Sequence, residues 1–219
     1  MHRQVFDLFF KATLATLEMV FASAAIAVFF GLPLAILLTV TRPGGLWPVR
    51  PIGRILGIAV DLTRAVPFII LLVVLIPFTR FVMGTALGTA AAIVPLSITA
   101  IPYFARIAEV SLKEVSPELI DAVRAMGATR AKVVRSVLVP EALPGLVSGL
   151  TVTLVTLIGA SAMAGVVGAG GLGDLAIRYG YQRFNTAMML WVVSILVVLT
   201  ILVQLGGNWI SARLRKNFI

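Results

Sequence analysis

Cysteine is absent from these 219 residues, and histidine occurs once, as His2. The first absence removes disulfides, thiolate nucleophiles and sulfur-bound metals from consideration. The second removes metal sites built on paired imidazoles. Charge is scarce as well. Asp, Glu, Lys and Arg make up 12% of the chain, where a soluble domain carries about 25%. No glycine is followed by lysine, so the Gly-x-x-x-x-Gly-Lys-Ser/Thr phosphate loop is missing and ATP cannot be held by that device. A basic segment ahead of the first apolar run is also lacking, because Arg3 and Lys11 are balanced by Asp7 and Glu18. A cleavable signal peptide is therefore not expected. No internal repeat is visible, which counts against secondary transporters assembled from repeated halves.

What is present is apolar length. Hydrophobic residues make up 60% of the chain, and the mean hydropathy is +1.07. A span needs about 20 mostly apolar residues. Five stretches qualify: about Met19 to Val40, Ile55 to Pro77, Leu87 to Ile107, Leu146 to Gly168 and Ala187 to Leu205. Asp61 and Arg64 interrupt the start of the second. The expected fold is all-α, a polytopic membrane protein of about five transmembrane helices in one domain, 1–219. Pro33, Pro67, Pro95 and Pro102 punctuate the spans. Such breaks are tolerated where neighbouring helices satisfy the freed carbonyls.

The net charge of +9 fits lysine and arginine retained on the cytoplasmic side better than a nucleic-acid partner. Arg42, Arg50, Arg54, Arg64, Arg106, Lys113, Arg124, Arg130, Lys132, Arg135, Arg213, Arg215 and Lys216 fall on one side of the five spans. Arg3, Lys11, Arg80, Arg178 and Arg183 fall on the other. The richer side is expected to be cytoplasmic, so the N-terminus faces out and the C-terminus faces in.

Between spans three and four lies a hydrophilic, basic insert, about 109–145. Ser116 can cap a helix opening with Pro117, where the missing N–H costs nothing. Glu118 and Asp121 suit the positive end of the helix dipole. Leu119, Ile120, Val123 and Met126 form an apolar stripe at helical spacing. Gly127 offers the left-handed residue that ends the helix, and Thr129 can cap a second short helix. Pro140 and Pro144 are expected to close the segment. Two short amphipathic helices make a knob, one face packed under the membrane helices and the other offered to a partner.

This segment resembles the EAA loop of permease subunits of bacterial ABC importers. Asp121-Ala122-Val123 stands for Glu-Ala-Ala, Gly127 matches, and Val137-Leu138-Val139-Pro140 stands for the closing Ile-x-Leu-Pro. Asp for Glu, Val for the second Ala and Val for Leu depart from the pattern. Thr41-Arg42-Pro43-Gly44, the run Arg64 to Leu72, Ile76 to Arg80, Arg124 to Thr129 and Pro140 to Leu146 are similar to the methionine-uptake branch of that family. The resemblance implies a homodimer working with two copies of a cytoplasmic ABC ATPase, which binds the ATP and magnesium, and with a periplasmic methionine-binding lipoprotein. It implies that Leu119, Asp121, Ala122, Val123, Met126, Gly127, Ala128, Val137 and Pro140 dock the ATPase. It also implies a bacterial inner-membrane location and methionine, D- and L-, as cargo.

Span four is uncharged from Leu146 to Gly173. Gly149, Thr153, Thr156, Ala160 and Met163 share one helical face, and small residues permit close helix approach. In a homodimer that face can meet its symmetry mate. Paired Met163 side chains are then expected to form part of a gate; plain packing of Met163 between helices is the alternative. The glycine-rich Gly168 to Gly173 that follows is expected to turn the chain sharply at the outer surface. It resembles a segment shared with permeases for betaines and phosphonates, so it leaves the cargo open. Arg178, Tyr179, Tyr181, Arg183 and Phe184 are either an interfacial aromatic belt or a receiving surface for the binding protein. Asp61 and Arg64, three apart, are expected to pair in a structural elbow. The expected function is the permease of an ATP-driven importer with no cofactor, metal or catalytic residue of its own. A permease for another solute and an ion-driven transporter are the rivals.

Overall fold

The computed structural model describes residues 2–216, with side chains from Gln4 onward, so the charge of Arg3 and the single imidazole of His2 lie outside the described side chains. All regular structure among these residues is helical. The elements are α1 (His2–Thr41), α2 (Arg50–Ala65), α3 (Phe68–Val74), α4 (Ile76–Met83), α5 (Thr89–Lys113), α6 (Pro117–Ala125), α7 (Arg130–Val133), α8 (Val139–Val166), α9 (Gly171–Leu175) and α10 (Thr186–Lys216). A single π-helical turn, Val134–Leu138, joins α7 to α8, and another, Ala176–Tyr181, follows α9.

α1 packs along α5, and α8 lies between α5 and α10. Small side chains fill these seams. Ala27, Ala35, Ala105, Ala108 and Ala164 are completely buried, whereas Phe29, Phe81 and Leu202 are exposed. A soluble protein sorts its residues the other way. In a bilayer large apolar side chains lose nothing by facing lipid, and helices associate through close backbone approach. Gly149 shows the tightness of the α5–α8 seam, since a Cβ there would lie 2.7 Å from Ile107 Cγ2. Many hydroxyls within spans are satisfied inside their own helices, although the buried Thr79 and Ser97 hydroxyls have no partner. Thr39, Thr99, Thr153 and Thr200 each donate to the carbonyl four residues back, at 2.8–2.9 Å.

Four helical stretches are long and apolar enough to cross a membrane, Gln4–Thr41, Thr89–Lys113, Arg130–Val166 and Thr186–Lys216. The second expected span differs from the sequence reading. Its first half, α2, turns 100° away from α3 at Val66-Pro67. A proline removes a backbone donor and pushes the residue before it out of the helical region, and Val66 has an extended ψ of 125°. Beyond the corner α3 leads on into α4. The ladder continues through Leu75, whose N–H reaches Leu71 O at 2.9 Å and whose carbonyl accepts from Thr79 N at 2.8 Å. Sixteen residues, Phe68–Met83, span about 24 Å at 1.5 Å per residue. That is shorter than the hydrocarbon core of about 30 Å.

The first, third and fifth spans begin near where the hydropathy places them or earlier, and all three run on as helix beyond the apolar stretch. Asp7 and Lys11 lie within α1 and form no ion pair with any described side chain. The fourth span also differs. Pro140 and Pro144 do not close the insert but sit in the first turns of α8, which is continuous with the knob. Just before Pro140 the ladder widens, and Val139 N–H reaches back five residues to Val134 O.

Candidate functional site

The knob forms from local signals. Ser116 Oγ accepts from Leu119 N at 3.4 Å and caps α6, and Thr129 Oγ1 accepts from Lys132 N at 3.4 Å and caps α7. Each cap is worth about 1 kcal/mol. The Ser116 hydroxyl also donates to the Glu118 carboxylate and holds it below the ordinary carboxylate range. Gly127 adopts φ +83°, with its N–H on Arg124 O at 2.9 Å and the Ala128 N–H on Val123 O at 3.4 Å. That left-handed residue reverses the chain between the two short helices.

The insert sorts its residues by face. Ile120 packs against the core, Val123 is half-buried, and Val133 and Leu138 are buried under the membrane helices. Leu119, Ala122 and Met126 point out at helical spacing, with Met126 78% exposed. Asp121 is exposed and pairs with Arg124 at 3.4 Å; an exposed pair of this kind contributes little. Ala128, Val137 and Pro140 are half-buried and belong to the base of the knob. The turn after α1 props the knob from beside: the Arg130 guanidinium lies 5.9 Å from the Trp47 ring centroid. No described element covers the outward row of Leu119, Ala122 and Met126.

The five residues expected on one open face of α8 separate in the structure. Gly149 and Thr153 are buried against neighbouring helices, Ala160 is half-buried, and Thr156 and Met163 are exposed. The open face instead follows Val152, Thr156, Gly159, Met163 and Val166, at the same alternating spacing but rotated about the helix. Thr156 Oγ1 donates to Val152 O at 2.9 Å and lies 3.2 Å from the Tyr103 hydroxyl, which is left as the donor between them. The Arg64 guanidinium stands 5.8 Å from the Tyr103 ring centroid. Tyr103 and Gly159 escaped the sequence reading, Tyr103 because it lies on α5 and nothing in the sequence brings it to α8.

At the far end of α8 the glycine-rich segment turns inward. Gly168, Gly170 and Gly171 all have positive φ. Leu172 N–H donates to Thr16 Oγ1 on α1 at 2.9 Å, and Gly171 to Leu175 are buried. Beyond it, Arg178 pairs with Asp174, Arg183 lies 4.5 Å over the Tyr179 ring, and Tyr181 and Phe184 are exposed.

An ion network joins α2 to α5 at the knob end. Asp61 accepts from Arg106 at 2.7 Å and faces Arg64 at 3.7 Å. Arg106 also donates to Glu109 at 2.6 Å, and Lys113 completes the pairing of that buried carboxylate. The elbow pairing expected of Asp61 and Arg64 is present, with Arg106 as the stronger partner.

The family model for the binding-protein-dependent transport system inner membrane component matches residues 28–216. The chain belongs to that family. Among relatives of this inner membrane component, the probable D-methionine transport system permease protein MetI of Vibrio cholerae is 46% identical, over 94% of this chain and 92% of the relative. The methionine import system permease protein MetP of Bacillus subtilis is 38% identical over 83% and 82%. Among solved structures, the MetNI methionine ABC transporter in inward-facing conformations contains a chain that superposes with a TM-score of 0.96 at 46% identity, covering 98% and 99%. An amino acid ABC transporter crystallised with histidines superposes at 0.80 with 22% identity, which speaks for the shared fold alone. As a multi-pass inner membrane component, the chain places its long apolar helices in the bilayer.

Proposed function

We propose that this chain is the permease subunit of an ATP-driven importer that carries methionine into the cytoplasm. The observation that carries this reading is the 0.96 superposition on a chain of the MetNI methionine transporter at 46% identity over nearly the full length of both. The residues fit the role. No phosphate loop exists in the sequence, so the energy must enter from another chain. The uncovered row Leu119, Ala122 and Met126, backed by Asp121, Val123, Gly127, Ala128, Val137 and Pro140, is where a cytoplasmic ATPase docks. ATP and magnesium belong to that partner.

The whole chain acts as one transmembrane unit. Two copies meet across the open face of α8, with Thr156, Gly159 and Met163 toward the axis and Gly149, Thr153 and Ala160 setting how closely α8 packs. Met163, long and deformable, closes the path from both sides. Residues 109–145 pass the ATPase cycle to α8 through the Gly127 turn and then through α7, which runs into the span with only the π turn between them. The end bearing the knob faces the cytoplasm. The opposite end, with Tyr181 and Phe184, receives a periplasmic binding protein.

Reconstitution tests the reading. Vesicles holding this permease with its ATPase and binding protein are expected to accumulate labelled methionine, D- or L-, only with ATP. Accumulation of a betaine or phosphonate in its place would reassign the cargo. Uptake that continues without ATP and stops when the ion gradient is collapsed would overturn the importer reading.

A further inference from the structure

The end of α1, the first turns of α2 and the knob end of α5 enclose a cleft of about 660 Å³. That volume falls within the range of small-molecule sites. Its walls carry Arg42, Arg50, Arg54 and Arg106, with Glu109 as the acidic residue among them. Arg106 and Glu109 are paired to each other, and Arg106 also to Asp61. Arg42, Arg50 and Arg54 form no ion pair with any described residue. Three guanidiniums therefore face one cleft uncompensated. Gly53 lets α2 close against α1, since a Cβ there would lie 3.0 Å from Thr41 Oγ1.

The other side of α2 is apolar and uncovered. Ile52, Ile55, Ile58 and Leu62 are 48%, 67%, 60% and 68% exposed. At about 100° per residue the middle of this row lies roughly 115° around the helix from the middle of the Arg50–Arg54 side, with Ile58 nearest to it. A helix turned 100° from the span beside it, basic on one face and apolar on another, has the geometry of one lying in the membrane interface. Guanidiniums match phosphate oxygens in pairs.

We propose that this cleft is a binding site for the phosphate of an anionic glycerophospholipid, seated by Arg42, Arg50 and Arg54 with its acyl chains along Ile55 and Leu62. A free phosphate ester shares the headgroup chemistry. The bilayer is the source chosen because the apolar row of α2 flanks the arginines. The site is separate from the translocation face, and its test does not depend on which solute is carried.

The test uses the permease co-purified with its ATPase, stripped of lipid in detergent and exposed to equal phosphatidylglycerol and phosphatidylcholine. Native mass spectrometry counts the lipids retained. Phosphatidylglycerol is expected to be held in preference. The variant Arg42→Gln with Arg50→Gln and Arg54→Gln is expected to weaken retention about fivefold per arginine removed, while Arg80→Gln leaves it unchanged. The triple lysine variant should keep most of the preference, since the charge remains. If the glutamine triple fails to assemble, Arg54→Gln alone is read, with about a fivefold loss expected. Equal retention of the two lipids overturns the proposal, as does retention unaffected by the glutamine substitutions. Displacement of phosphatidylglycerol by millimolar glycerol phosphate also overturns it, in favour of a soluble anion site.

Discussion

At the scale of single residues, local backbone chemistry was the most legible part of the chain. Ser116, Pro117, Gly127 and Thr129 carry out the roles that their types announce, because a cap or a left-handed turn depends on a few neighbouring atoms. A valine at Gly127 would strain its φ of +83°, at a cost of about 1–2 kcal/mol. The Gly127→Val permease is expected to capture less ATPase in co-purification, and full capture would remove the knob from the docking role. Side-chain surroundings were less legible. Periodicity grouped Gly149, Thr153, Thr156, Ala160 and Met163, but which neighbour each meets depends on α5 and α10. Met163 is 51% exposed in the single chain, so Met163→Ala should leave thermal stability nearly unchanged. Methionine carried per ATP hydrolysed is expected to fall, by roughly fivefold for coupling of ordinary strength.

At the scale of elements, the sequence conceals two joints. One is the turn at Val66-Pro67, which sets α2 at 100° to α3. The apolar run continues across it, and hydropathy averages over a corner that a proline makes. Pro67 was the available signal. The other is the π turn Val134–Leu138, which welds the knob to α8. Two prolines read as a stop because a proline costs a hydrogen bond, yet the helix continues through both, with a wider turn just before Pro140. α2 is held to α5 largely by Arg106, which serves Asp61 and the buried Glu109 together. Arg106→Gln leaves Glu109 with Lys113 as its remaining cation. A loss of about 1–3 kcal/mol is expected, as for a buried group stripped of one partner. A lowered thermal midpoint of the solubilised complex measures it, and an unchanged midpoint would show that packing alone secures the elbow.

At the scale of the whole molecule, the basic residues gather at one end. Arg42, Arg50 and Arg54 after α1, Arg106 at the end of α5, the knob cations and Arg213 on α10 lie together, while Arg80, Arg178 and Arg183 lie at the other end. Lysine and arginine retained on the inner side predict an N-terminus outside and a C-terminus inside. The absence of cysteine makes this directly measurable. A single Asp7→Cys in spheroplasts is expected to react with a membrane-impermeant maleimide, and a single Arg213→Cys only after permeabilisation. The reverse pattern would invert the topology and place the knob beyond reach of a cytoplasmic ATPase.

The all-helical membrane class, the polar insert and the missing phosphate loop were all legible in composition and order. Each depends on chain length, charge and residue order, which do not change on folding. Only the tertiary structure decided which face of α8 stays open, where α2 lies and that three arginines share one cleft. Those outcomes depend on how separate helices approach one another, and the approach is governed by glycine and alanine contacts between residues far apart in the chain.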